Sequence, residues 1–352
     1  MLGVCKNKMK NHVEERNQLC IYLYLIQKET DKRNKEKRKR GENNLVYVDI
    51  FALPSHIKIL FGPFLKTPLY TEIATLRGHT GWVYSLTDFG NKLYSGGDDT
   101  IRIWEKGTNI ETYEEIASLR GHTETVYCLT HFKNKLYSGS RDKTIRIWNT
   151  ETHEQIAILR GHTYFVMCLA LHENKLYSGS LDSTIRVWNT ETYEPIATLS
   201  GHTDGVLCLT ILKNKLYSGS WDKTIRIWNT ETYEEIGTLE GHTAVVRCLT
   251  ILKNKLVSGS NDKTIRIWAR GTNTETHEEI ATLRGHLGGV SCLTHFKNKL
   301  YSGSNDKTIR IWNTETYEPI ATLECWGVNC LTIHENKLYS GSLDSTIRVW
   351  KI

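Results

Sequence analysis

From residue 70 onward, short apolar runs alternate with polar turns on a fixed period. The clearest unit is LYSGSRDKTIRIW, Leu136–Trp148, with Gly121-His122 upstream. It returns as Leu176–Trp188, Leu216–Trp228, Leu256–Trp268, Leu300–Trp312 and Leu338–Trp350, and one residue shorter as Leu93–Trp104. Within the second unit, Val126–Phe132 predicts a strand and Lys133-Asn134 a tight turn, with Asn accommodating positive φ. Leu136–Ser140 predicts the next strand, Arg141-Asp142-Lys143 a turn, and Thr144–Trp148 a β-branched strand. Asn149–Thr152 turns again, and Glu154–Leu159 makes a fourth strand.

A period of this length denotes a repeat architecture. Four short antiparallel strands per period make one blade of a β-propeller. Longer turns at Glu105–Glu111 and Ala269–Glu275 account for two longer periods. Third-strand tryptophans mark seven blades, and the last of them, Trp350, leaves no room for a fourth strand in blade seven. The orphan segment Tyr70–Leu76 (YTEIATL) matches the fourth-strand pattern of Tyr193–Leu199. The N-terminal strand is therefore expected to complete the C-terminal blade, and such ring closure removes free sheet edges. The expected fold class is all-β, a seven-bladed propeller over 70–352.

Gly-His, Ser-Gly, Asp and Trp recur together at fixed offsets over nearly all of 70–352. In this the chain resembles the WD40 repeat family. The Trp-Asp dipeptide is absent, since Trp is followed by Asn, Glu, Ala or Lys. The resemblance implies that His122, Ser138, Asp142 and Trp148 form one hydrogen-bonded chain within blade two. It implies the same for His79, Ser95, Asp98 and Trp104; for His162, Ser178, Asp182 and Trp188; and for His202, Ser218, Asp222 and Trp228. His242, Ser258, Asp262 and Trp268, and His286, Ser302, Asp306 and Trp312, complete the series. A buried indole N–H needs an acceptor and a buried carboxylate needs donors. Six copies of a Ser-His-Asp set tied to Trp read as a structural network, whereas a catalytic set would be singular. Blade seven keeps Ser340, Asp344 and Trp350 but reads Glu324-Cys325-Trp326-Gly327 where the histidine should be. It is expected to be the least stable blade and to show the fastest hydrogen exchange.

The repeats differ at the start of the first strand and just before the Asp. The family resemblance places these positions around the top entrance of the central channel, where peptides dock. They read Trp82 and Tyr84 in blade one, Thr125, Tyr127 and Arg141 in blade two, and Phe165, Met167 and Leu181 in blade three. Blade four gives Leu207 and Trp221, and blades five to seven give Val245, Arg247, Asn261, Ser291, Asn305, Asn329 and Leu343. One side is aromatic and aliphatic, the other mostly polar. Trp, Tyr and Arg are the commonest binding hot spots, and an exposed apolar patch marks an interaction site.

Charge changes this picture little. The formal charge of +6 lies in residues 1–44, with twelve Lys/Arg and six Asp/Glu, so 45–352 is neutral. The propeller thus lacks the broad positive field on which nucleic acid binding rests. Six of the nine cysteines, Cys128, Cys168, Cys208, Cys248, Cys292 and Cys330, share one repeat position that blade one fills with Ser85. They read as small buried residues and not as a metal, redox or disulfide framework. Free thiols fit a reducing compartment, so an intracellular protein is expected, cytoplasmic or nuclear.

Residues 1–44 read as a basic tail, disordered or partly helical, whose run Lys32–Arg40 has the composition of a nuclear-import segment. Its apolar stretch Leu19–Ile26 is too short for a membrane span. In the apolar segment 45–69, Leu53-Pro54 followed by Ile57, Ile59, Leu60, Phe64 and Leu65 resembles the opening of an F-box, although Gly62-Pro63 would break its helix. The alternative is a linker. The expected function is a non-enzymatic scaffold binding a protein or peptide on the top face, a monomeric propeller within a larger complex. The competing reading is a substrate-recognition subunit of a ubiquitin ligase. No cofactor or metal is implied.

Overall fold

The computed structural model describes residues 70–107, 112–270 and 277–352. The expectations for the tail 1–44 and the segment 45–69 lie outside the described residues, as do parts of both longer turns. Every strand follows from the local pattern. In Ile145–Asn149 the side chains alternate, with Ile145 and Ile147 buried at 1% and 0% and Arg146 between them half-buried. Both sheet faces are covered by neighbouring blades, so apolar residues are needed on both sides.

Among the described residues, seven four-stranded antiparallel sheets result. In blade two, Val126–Phe132, Lys135–Ser140, Ile145–Asn149 and Gln155–Leu159 pair in sequence order. The first strand of each sheet packs against the first strands of both neighbours, and blade seven returns to blade one. These inner strands form a closed ring. The last sheet is completed by Thr71–Arg77, which pairs antiparallel with Thr346–Lys351 in the register Thr71↔Lys351, Leu76↔Ile347 and Arg77↔Thr346. The N-terminal strand closes the ring.

The core lies between consecutive sheets. Between blades three and four it joins Cys168, Tyr177, Ile185, Val187 and Leu199 to Val206, Leu216 and Trp228. The repeated cysteine fills the gap that the Ser-Gly glycine leaves. A Cβ on Gly179 would stand 2.5 Å from Cys168 Sγ and 2.7 Å from Val206 Cγ1. The thiols of Cys128, Cys168, Cys208, Cys248 and Cys330 face the valine carbonyl of the next blade, at 3.9 Å for Cys168 and Val206. Burial pushes the Cys248 thiol up to about 12, too high for a reactive thiolate at neutral pH.

Two features differ from the sequence expectation or go beyond it. In the first hairpin turn, Lys133 (φ 53°) takes the left-handed conformation, and Asn joins it only in blades five and seven, at Asn254 (φ 62°) and Asn336 (φ 59°). Blade one puts Gly90 (φ 64°) there, in open space. Second, a lysine opening the second strand reaches across to an aromatic ring of the next blade. Lys135 Nζ lies 4.8 Å from the Tyr193 ring centroid, Lys175 5.0 Å from Tyr233, and Lys255 5.5 Å from Tyr317. Lys299 over Tyr70 (5.0 Å) and Lys337 over Tyr113 (5.4 Å) carry the same clasp across the ring closure.

Candidate binding face at the mouth of the ring

The top loops are held from beneath by a repeated hydrogen-bond chain. In blade two, Trp148 Nε1 donates to Ser138 Oγ (2.9 Å), His122 Nε2 meets the same oxygen (2.7 Å), and His122 Nδ1 meets Asp142 Oδ2 (2.7 Å). Blade one repeats this through Trp104, Ser95, His79 and Asp98 at 2.8, 2.7 and 2.9 Å. Blade three gives 2.9, 2.8 and 2.8 Å through Trp188, Ser178, His162 and Asp182. In blade four Trp228, Ser218, His202 and Asp222 lie at 2.8, 2.7 and 2.6 Å. Trp268, Ser258, His242 and Asp262 follow at 2.8, 2.8 and 2.7 Å, and Trp312, Ser302, His286 and Asp306 at 2.9, 2.7 and 2.8 Å.

A threonine two residues after each Asp adds a donor, as in Thr144 Oγ1 to Asp142 Oδ1 (2.6 Å). Burial pushes the Asp142 carboxyl up, but the bonds from His122 and Thr144 outweigh it and hold the group well below the usual carboxylate range. Ser138 Oγ has its neighbours fixed and Ser138 is fully buried, so it cannot meet a substrate as a nucleophile. The network positions loops.

What it positions is a run of rings around the mouth. Trp82 lies 6.0 Å from Tyr84, Tyr84 4.9 Å edge-on to Tyr127, and Tyr127 6.2 Å from Phe165. Arg141 sits over the Phe165 ring at 5.1 Å. Trp82 is 50% exposed and Trp221 42%. Met167, Leu181 and Leu207 are half-buried at the corresponding positions of blades three and four, with Leu181 packed over Gly205. Across the mouth, exposed Arg247 donates from Nε to Asn261 Oδ1 (2.8 Å), and Ser291 bonds Asn305 (3.2 Å). Burial and Tyr127 push the Tyr84 hydroxyl up to about 12, against the opposing pull of Arg141 and Arg247.

Sequence reasoning missed Tyr164, which stacks on Phe165 at 4.2 Å with Lys143 at 6.0 Å from its ring. The signal was present. The corresponding residues are Gly81, Glu124, Asp204, Ala244, Gly288 and, in blade seven, Trp326, so Tyr164 and Trp326 are the two aromatics at this position, and Lys307 lies 4.9 Å from the Trp326 ring as Lys143 lies by Tyr164. Among the described residues no group of three His, Cys, Asp or Glu side chains is placed to hold a metal ion.

Seven segments, 70–105, 113–149, 153–189, 193–229, 233–269, 277–313 and 317–351, match the WD40 family, described as WD domain, G-beta repeat. The chain belongs to the WD40 repeat family. Among solved structures it is similar to the crystal structure of the WD40 β-propeller domain of Doa1. The two share 25% sequence identity over 81% of this chain and 97% of that one, with a TM-score of 0.72. Comparison with curated proteins gives no match.

This WD40 propeller solves its missing histidine in blade seven with an arginine. Trp350 Nε1 still donates to Ser340 Oγ (2.9 Å), and Arg348 Nη2 donates to Asp344 Oδ2 (2.5 Å). Arg348 Nε also lies 3.6 Å from Glu72 on the N-terminal strand. In blade two the equivalent Arg146 instead donates to Gln155 in the fourth strand. Arg348→Ala should cost on the order of 1–3 kcal/mol, because Asp344 loses its cationic partner while still partly buried. Arg146→Ala should cost less, since Asp142 keeps His122. Urea unfolding of the two variants tests the ordering, and equal losses would contradict it.

Proposed function

We propose that this WD40 chain is an interaction scaffold with no chemistry of its own, docking a protein segment across the mouth of the ring. The observation that carries this is the unbroken ring contact from Trp82 through Tyr84 and Tyr127 to Phe165 and Tyr164, across three blades and partly open to solvent. Rigid aromatic surface of this kind gives large contact area at low entropic cost. The six Ser-His-Asp sets are spent on holding loops. The seven cysteines among the described residues are free, with the six repeated ones, in blades two to seven, all buried, which supports placing the protein in a reducing compartment.

Phe165→Ala/Trp221→Ala removes two rings without touching the network. Proteins that co-purify with the intact chain should be lost from this variant by tenfold or more, about 1.4 kcal/mol or greater, while its unfolding midpoint stays close to the parent's. Retention of every partner would exclude this face.

A further inference from the structure

The mouth has a charge pattern that selects among ligands. Two positions per blade border it, the residue after the buried valine and the residue before the network Asp. Among all of them only Arg141 and Arg247 are charged, and both are cations. They stand on different sides, in blades two and five, yet both act electrostatically on the one Tyr84 hydroxyl. The network carboxylates beneath these two arginines are taken up, Asp142 by His122 and Asp262 by His242, which leaves Glu124 and Asp204 as the exposed acids among the residues two before the buried valines. The exposed acid beside Arg141, Glu124, makes only a loose pair with it, at 3.9 Å with both side chains about half exposed (53% and 50%). Exposed pairs of this kind are weak and readily exchanged.

The rings are also already faced by the protein's own cations, Arg141 over Phe165 and Lys143 by Tyr164. A basic ligand would meet like charge there. An anionic group would complete both arginines. We infer that the segment bound at this mouth is an acidic peptide, in which Asp or Glu side chains engage Arg141 and Arg247 beside an apolar residue resting on the aromatic run.

The inference rests on the docking reading above and sharpens it. A nucleic acid strand fits less well. Stacking platforms for single strands lie in grooves lined by many cations, whereas residues 45–352 carry no net charge.

The test is selection of a random peptide library on the intact chain, followed by affinity measurement on the selected sequences. Selected peptides should carry Asp or Glu next to an aromatic or aliphatic residue. Replacing those acids by Asn or Gln should weaken binding about tenfold, about 1.4 kcal/mol. That difference should vanish in Arg141→Ala/Arg247→Ala, and Arg141→Glu/Arg247→Glu should select Lys and Arg instead. Neutral or basic peptides that still require Phe165 and Trp221 would overturn the acidic ligand and leave the docking face standing. Peptides indifferent to Phe165→Ala/Trp221→Ala, or no selected peptide, would overturn both. A uridine oligonucleotide binding this face more tightly than any selected peptide would replace the peptide with a nucleic acid.

Discussion

Removing residues 70–77 should destroy the cooperative fold of the ring and not merely trim one strand. Thr71–Arg77 covers the outer edge of Thr346–Lys351, whose Ile347, Val349 and Trp350 are 0%, 0% and 5% exposed. Leu76 enters the core of the closing blade with Leu86, Leu93, Tyr339 and Val349, and Ile73 and Ala74 pack against it. Burial of one large aliphatic side chain contributes about 1.5–3 kcal/mol. Losing Leu76 and the cover over three further residues therefore amounts to several kcal/mol, against a whole-domain stability of about 5–15 kcal/mol. The deletion also removes Glu72 from Arg348 and the Tyr70 ring from Lys299. The new edge would be unpaired and apolar, which favours association between copies. Gel filtration should show the deleted chain as oligomer or aggregate, and Leu76→Asp in the full chain should lower the urea midpoint sharply. In the parent, amides of Val328–His334 and Lys337–Ser342 should exchange fastest among the inner strands. A deleted chain that stays monomeric with the parent's midpoint would refute closure as the source of stability.

The architecture was legible because it is written seven times. A period of 40, a Trp at each third strand and a spare strand pattern at Tyr70–Leu76 leave one economical arrangement. What escaped the sequence is of another kind. Arg348 looks like the arginine of every other repeat, but where its blade lacks the histidine its guanidinium donates to Asp344 while Nε stays 3.6 Å from Glu72 of the closing strand. The lysine clasps recur with the repeat, but each joins residues of different blades, as Lys135 and Tyr193 do. Spacing alone does not say that the two meet. Lys133 was passed over as a left-handed residue because lysine has no intrinsic preference for that region, and hairpin geometry imposes it. The aromatic run was visible as residues that depart from the repeat, yet its continuity depends on the angle between blades. Stacking of Tyr164 on Phe165 depends further on side-chain rotamers, which no periodicity encodes.

The second large effect is expected in acid. Asp98, Asp142, Asp182, Asp222 and Asp262 are all held well below the usual carboxylate range, and Asp306 at about 2. Asp344 is lowered too. In each case burial favours the neutral acid, and hydrogen bonds to the ionised form outweigh it: from His79 and Thr80 on Asp98, from Thr308 and His286 on Asp306, from Arg348 on Asp344. An unfolded Asp titrates near about 4. Between that value and the lower folded values the unfolded chain binds more protons, so the stabilisation is complete above about pH 4 and drains away as pH falls through the folded range. A difference of one pKa unit corresponds to about 1.4 kcal/mol per group, and the seven carboxyls titrate over the same interval. His286 begins the loss earlier. Burial lowers its affinity for a proton despite the opposing pull of Asp306, so folding is penalised as pH drops below about 6.5. Urea midpoints should therefore fall slightly from pH 7 to 5 and steeply from pH 4 to 3. Asp142→Asn/Asp222→Asn should lower the midpoint at pH 7, by on the order of 1–3 kcal/mol at each site, and flatten the acid limb, because two of the titrating groups are gone. A double variant whose acid limb kept the parent's slope would show that the carboxylates beneath the top loops are not what acid unfolds.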